Sequence, residues 1–339
     1  MHPAFIVSIV ILSVILFVYL LLFIISHSIY KRSVMATLCE IYLRIKETRY
    51  KNSEMDKYFN NISKVNTKEL MVPKYVKSKM ISYNYMNMQT FVINNKSDKT
   101  IIYLHGAGYV RNPRRQHFKF IDKLSRLTNA NIVFPIYPKA PTYDYKLSYE
   151  ILTTLYKEVI NKSKEVYLMG DSSGGGLALG LCISFIKNNI KQPDHLFLLS
   201  PWVDVSLDNK NIKDYIKKDP IVFIENDKMC GLKWANGTDL KDERISPLYG
   251  NMVGIKEVSI FVGNREVLYP DNVILYEILK ESKSNVSFNV GSGLNHVYPI
   301  YPIPEAKKVL KTMKNIIKEG EKNGVCNYYW YLFRFRQEY

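Results

Sequence analysis

LMGDSSGGGLALGLC, residues 168–182, sets a serine at the joint between two different patterns. The stretch before it, EVYLMG (165–170), is a short apolar run bounded by turn signals and reads as a buried strand. From Gly174 to Lys187 the residues are small and apolar, with no proline, and read as a closely packed helix. A serine at so tight a strand-to-helix turn is lifted above the sheet. Only small neighbours fit around it, because a larger Cβ would strike the adjoining strand or helix. The first N–H groups of the helix then point to the space in front of Ser172, where negative charge on an oxygen would be stabilised. The other common setting of a serine nucleophile, Gly-Asp-Ser-Gly-Gly on a loop, is out of register here, because Ser173 follows Ser172.

A second motif gives the first its meaning. His105-Gly106-Ala107-Gly108-Tyr109 follows directly on the strand TIIYLH (100–105). Glycines in such a loop let backbone N–H groups approach a carbonyl oxygen without side chains in the way. A base and an acid are then needed. His296, in GSGLNHVYPIYP, follows the strand candidate VSFNVG and precedes a helix, where a loop brings it over the elbow. His195 begins a strand and His117 sits in a basic loop; both read as structural or surface residues. His105, with Gly106, supports the loop it belongs to. The acid is expected after the strand VSIFVG: Glu266 in GNREVLYPD is the first choice. Asp271, one turn later, is the alternative, although it can instead cap the next helix.

Along the body, KMISYNY, QTFVINN, TIIYLH, NIVFPIY, EVYLMG, HLFLLS, VSIFVG and VSFNVG read as strands. Helical stretches lie at about 147–161, 174–187, 270–282 and 303–318. This alternation predicts a mostly parallel sheet with helices on both faces. Residues 205–245 interrupt it, as an insertion over an active site does.

The 339 residues carry 47% hydrophobic residues, enough for a sizeable core. The net charge of +16 is read as compositional bias in a chain rich in Lys, Asn, Ile and Tyr, since the lysines are scattered and no nucleic-acid motif accompanies them. Cys39, Cys182, Cys230 and Cys326 are far apart, which argues against a zinc site or a disulfide framework. Ala4 to Ile25 carries no charge and has the roughly 20 residues needed to cross a bilayer. A cleaved signal would have a shorter apolar core, basic residues before it and a small-residue site after it. The run therefore reads as a single-pass anchor (domain 1–32) ahead of a catalytic body (33–339). Lys31, Arg32, Arg44, Lys46 and Arg49 favour a cytoplasmic body. Five Asn-x-Ser/Thr sequons, at Asn61, Asn95, Asn161, Asn236 and Asn285, permit a lumenal one. The tail NYYWYLFRFRQEY reads equally as a membrane-surface segment or as a last packed element.

Taken in order, HGAGY, YPKAPTYDY (137–145), GDSSGGG, SPWVDVS (200–206), ISPLYG (245–250), GNREVLYPD and NHVYP resemble the hormone-sensitive-lipase-type α/β-hydrolases, which include arylacetamide-deacetylase-like and steryl-acetate-hydrolase-like esterases. The resemblance covers about residues 78–318. It implies an α/β-hydrolase fold with a helical cap, from about 33–75 and 205–245. It further implies Ser172 as nucleophile, His296 as base, and Glu266 in the place of the acid. Oxyanion donors would be the N–H groups of Ala107, Gly108 and Ser173. It implies no cofactor and no metal, and a small-molecule ester as substrate. Two departures stand out. Ala107 replaces a glycine, at little cost if its φ is negative, and the acid is Glu where Asp is commoner. A non-catalytic receptor on this fold typically lacks the histidine, whereas an amidase or lipid deacetylase would use the same groups.

Overall fold

The computed structural model describes residues 3–319; the aromatic tail at 327–339 and Cys326 lie outside them. Eight strands form one sheet: β1 (Met80–Tyr85), β2 (Met88–Ile93), β3 (Lys99–Leu104), β4 (Asn131–Pro135), β5 (Glu165–Asp171), β6 (His195–Leu199), β7 (Glu257–Gly263) and β8 (Asn285–Gly291). Their order is β1-β2-β4-β3-β5-β6-β7-β8. β2 runs antiparallel to β1 and β4, and all other pairs are parallel. The β1–β2 hairpin closes through Met86 and Asn87, both at positive φ, as a two-residue turn matched to strand twist requires.

The central strands are apolar on both faces because both faces are covered. Along β3, Ile101 and Tyr103 enter one apolar cluster and Ile102 and Leu104 the other, as the two-residue period of a strand dictates. On the Ile102 side pack α5 (Tyr145–Lys162), α6 (Ser173–Lys187) and α8 (Tyr269–Glu281). On the Tyr103 side pack α4 (Arg115–Thr128) and α9 (Pro304–Glu319). α4 corrects the sequence reading, which left this segment as a basic stretch. Its charges alternate with Phe118, Ile121 and Leu124, all buried at helical spacing, and Asn129 ends it in the left-handed conformation. α7 (Ile224–Ala235) lies in the long connection between β6 and β7.

Before the sheet come α1 (Pro3–Ile24), a π-helical turn at Ile25–Ile29, α2 (Val34–Lys46) and α3 (Met55–Asn66). The apolar stretch Phe5–Ile29 has a mean hydropathy of 3.2, and no part of its most apolar window is buried. By length and composition it suffices to cross a membrane. Where it meets the body, the chain is tightly held. Ser26 Oγ donates to Thr37 Oγ1 at 2.7 Å. Buried Arg32 binds Glu40 at 2.5 Å and the Gly293 carbonyl at 2.8 Å. Ser33 donates from N and Oγ to the Glu305 carboxylate at 2.7 and 3.0 Å. The Tyr30 ring lies between two guanidinium groups, Arg32 at 4.5 Å and Arg265 at 4.4 Å. Gly293 (φ +69°) touches this segment so closely that a Cβ would collide with the Tyr30 carbonyl.

Candidate active site

β3 and β5 are neighbours, and Leu104 pairs with Gly170. The segments that leave their C-terminal ends, HGAGY and the turn at Ser172, therefore emerge side by side, where parallel α/β sheets place their ligands. Ser172 has φ 51° and ψ −123°, a conformation an L-residue holds only where its surroundings force it. Here they do. Its N–H donates to Leu199 O at 2.9 Å, and its carbonyl accepts from Gly176 and Trp202 at 3.0 and 2.8 Å. Gly174 approaches the end of β3 so closely that a Cβ would run into the Leu104 carbonyl oxygen.

His296, on the segment after β8, brings Nε2 to 2.9 Å from Ser172 Oγ. Its Nδ1 lies 3.2 Å from Glu266 Oε1. A carboxylate only accepts, so Nδ1 carries the proton and Nε2 is left to accept the Ser172 hydroxyl. Ser172 is half-buried, whereas His296 and Glu266 are buried. Burial alone would lower the imidazole pKa. The hydrogen bond and charge of Glu266, with Asp219 and Asp171 further off, hold it above its ordinary 6.5. The alternative acid, Asp271, stands on the first turn of α8 and accepts from Asn209 Nδ2 at 2.7 Å instead of facing His296. Burial pushes its carboxyl up to about 6.

The HGAGY loop is braced from several sides. His105 stacks on Tyr137 at 4.7 Å, and Tyr137 Oη donates to the His105 carbonyl at 2.8 Å. Ala140 N donates to Tyr109 O at 3.0 Å, and Tyr109 N to Ser173 Oγ at 3.1 Å. Lys139, in the same strap, is buried and donates to the Tyr137 carbonyl at 3.1 Å. Burial, then the nearby Lys139, push His105 well below its usual pKa, so its ring is neutral. The Gly106 N–H is engaged by Asp171 Oδ1 at 2.9 Å. Among the described residues, the N–H groups of Ala107 and Gly108 donate to no protein acceptor. Ser173 opens α6, and a first-turn N–H has no intrahelical acceptor. Ala107 has φ 95°, not the negative value at which replacing the glycine would cost little. Its methyl group is thus held in a region that favours glycine.

Sequence reasoning missed four supports. Asp171, inside the motif itself, accepts from Tyr103 Oη at 2.5 Å and faces His117 Nε2 at 3.2 Å. His117 Nδ1 accepts the Arg114 N–H at 2.8 Å, so Nε2 is the protonated nitrogen. His117 is therefore a buried partner of Asp171 rather than a loop residue. Burial would raise the Asp171 carboxyl, but His117, Tyr103 and the Gly106 N–H keep it below the usual range. Ser200 donates to Glu266 Oε2 at 2.8 Å and accepts from Val297 N at 3.0 Å, tying Glu266 to the segment of His296. Asp219 takes the N–H of Val267, next to Glu266, at 2.8 Å. Asp171 was readable as the residue beside the serine; Asp219 left no signal in the sequence.

Residues 101–300 match the family model for the alpha/beta hydrolase fold. An esterase of Acinetobacter venetianus is 26% identical over 62% of this chain and 71% of its own length. An acetyl-hydrolase of Mycobacterium tuberculosis is 24% identical over 67% and 77%. Among solved structures, a Staphylococcus aureus protein described as an esterase superposes with a TM-score of 0.78 at 30% identity, covering 84% of this chain and 97% of its own. An esterase of the bacterial hormone-sensitive lipase family shares the fold at a TM-score of 0.69 and 20% identity, over 80% of this chain and 99% of its own. The strand-to-helix turn at Ser172, the braced glycine loop and these likenesses agree: the chain belongs to the α/β-hydrolase fold family and is a carboxylester hydrolase.

Proposed function

We propose that the protein is a membrane-tethered serine esterase that acts on lipophilic or small acylated esters through Ser172, His296 and Glu266. The observation that carries this reading is the unbroken chain from Glu266 Oε1 through the His296 ring to Ser172 Oγ, at 3.2 and 2.9 Å. His296 takes the Ser172 proton as the oxygen attacks the ester carbonyl. The N–H groups of Ala107, Gly108 and Ser173 receive the oxyanion, and Glu266 orients and stabilises the imidazolium. His296 returns the proton to the leaving alcohol, and water then releases the acyl group by the reverse route. His105 and Gly106 hold the oxyanion loop. Residues from about 33–75 and 205–245 form the cap over the site. The apolar Phe5–Ile29 stretch is the anchor, and the Lys and Arg residues after it support a cytoplasmic body.

Ser172→Ala is expected to remove about 10⁵–10⁶-fold of kcat on a short p-nitrophenyl ester. It should also abolish labelling by a fluorophosphonate probe and leave the circular dichroism unchanged. A folded variant that keeps its turnover overturns the assignment. Protease protection in intact membranes tests the side.

A further inference from the structure

Three arginines follow the oxyanion loop, and they have different fates. Arg114 forms a two-pronged pair with Glu47. Arg115 lies over the Tyr75 ring at 4.5 Å. Arg111 has neither kind of partner. Its guanidinium makes no hydrogen bond or ion pair among the described residues, and its Nε is fully buried and unsatisfied. The backbone holds it in place, with Arg111 N donating to Ala107 O at 3.2 Å. The guanidinium faces the oxyanion loop: the position a Cβ would take on Gly108 is 3.9 Å from an Arg111 Nη and 3.6 Å from Asp227 Oδ1. Asp227 does not close an ion pair with it. Its other oxygen accepts from Phe223 N at 2.8 Å, and burial raises its carboxyl pKa despite the pull of Arg111. On its other side Arg111 lines a pocket of about 320 Å³ with Lys46, Arg114, Glu47 and Tyr50. Glu47 is already committed to Arg114, so the positive charge of Lys46 and Arg111 is unspent there.

Arg111 is half-buried, and a guanidinium with a buried, unpaired Nε gains when a carboxylate or phosphate docks on its planar fork. We infer that Arg111, with Lys46 behind it, is the anion-binding group of the substrate site, and that the protein prefers esters bearing a carboxylate or phosphate close to the scissile bond. This rests on the esterase reading above. The neutral end of such a substrate lies against the apolar cap, and its anionic group enters the pocket beside the oxyanion loop. The source of the anion is either an acyl chain ending in a carboxylate or an alcohol bearing a phosphate.

Two matched pairs of substrates test it on the full-length protein in detergent: p-nitrophenyl octanoate against mono-p-nitrophenyl suberate, and monolauroylglycerol against lauroyl-glycerol phosphate. The anionic member of at least one pair is expected to have the higher kcat/KM, and the pair that responds identifies the source. In Arg111→Gln the anionic-to-neutral ratio is expected to fall by about tenfold or more, the ordinary worth of a charge-assisted hydrogen bond. The ratio cancels any general loss of folded enzyme. It should be partly restored in Arg111→Lys and unmoved in Arg115→Gln, which removes the same charge outside the pocket. Equal turnover within both pairs, or a ratio that Arg111→Gln leaves in place, overturns the anion site and makes Asp227 the sole counter-charge of Arg111. Failure of the wild type to turn over any of the four esters would instead refute the esterase reading.

Discussion

Lys139 stands in YPKAPTYDY, and it gives a sharp test of how the loop strap is held. It is 5% exposed, donates to one carbonyl at 3.1 Å and has no counter-charge among the described residues, so burial drops its pKa from 10.5 to about 7. At about 1.4 kcal/mol per pH unit, that shift costs the charged form on the order of 5 kcal/mol. Lys139→Met keeps the length of the side chain and removes the charge. After allowing for the lost hydrogen bond, the variant should be more stable at neutral pH by about 2–4 kcal/mol, a rise in Tm of roughly 5–10 °C. The sign with pH follows from linkage. The folded pKa lies below the unfolded one, so between about 7 and 10.5 the unfolded chain binds more protons and wild-type stability climbs with pH. The advantage of the Met variant is therefore full at and below pH 7 and fades as the pH approaches 10.5. Thermal unfolding of both proteins in detergent across this range measures it. A Met variant that is less stable at pH 7, or an advantage that does not shrink with rising pH, refutes the reasoning.

The choice of acid is tested by exchanging carboxylates for amides. Glu266→Gln should lower kcat by about 10²–10⁴-fold, because the charge is lost and Ser200 and Gly263 N–H hold the amide oxygen, turning its NH2 to Nδ1 and imposing the wrong tautomer, whereas Asp271→Asn should stay within about threefold of wild type. The acid limb of kcat/KM should lie above pH 6.5, because only neutral His296 accepts the serine proton and Glu266 raises its pKa. In Glu266→Gln, where burial acts without that opposing charge, the limb should move to lower pH, and an unmoved limb would show that another group titrates there.

What was legible in the sequence was local in the chain. HGAGY and GDSSGGG are each a strand end plus a tight turn, and their glycines answer to atoms a few residues away or on the adjoining strand. The central strands were legible for the same reason, since burial on both faces writes unbroken apolar runs. α4 was passed over because its charges masked the spacing of Phe118, Ile121 and Leu124, and with it went the buried role of His117. Ser200, Asp219 and Arg32 were invisible for another reason. Each acts on a partner far along the chain (Glu266, Val267 and Gly293), and no periodicity encodes such a meeting. The φ of Ala107 belongs here too, since the strap and Asp171 impose the shape of its loop from outside.

The seat of the N-terminal helix sets a mechanical limit on the enzyme. Of Tyr30 to Ser33, the residues between the π-helical turn and α2, three are engaged: Tyr30 between Arg32 and Arg265, Arg32 on the Gly293 carbonyl, Ser33 on Glu305. There is no slack and no swivel, so torque on the helix passes directly to the two segments that carry Glu266 and His296. A shortened chain that begins after Ser33 would leave Arg265 without its stacked ring and Gly293 without its neighbour, within three residues of Glu266 and His296. A version lacking α1 should therefore keep Tyr30 and Arg32, because these two residues brace the segments from which Glu266 and His296 project.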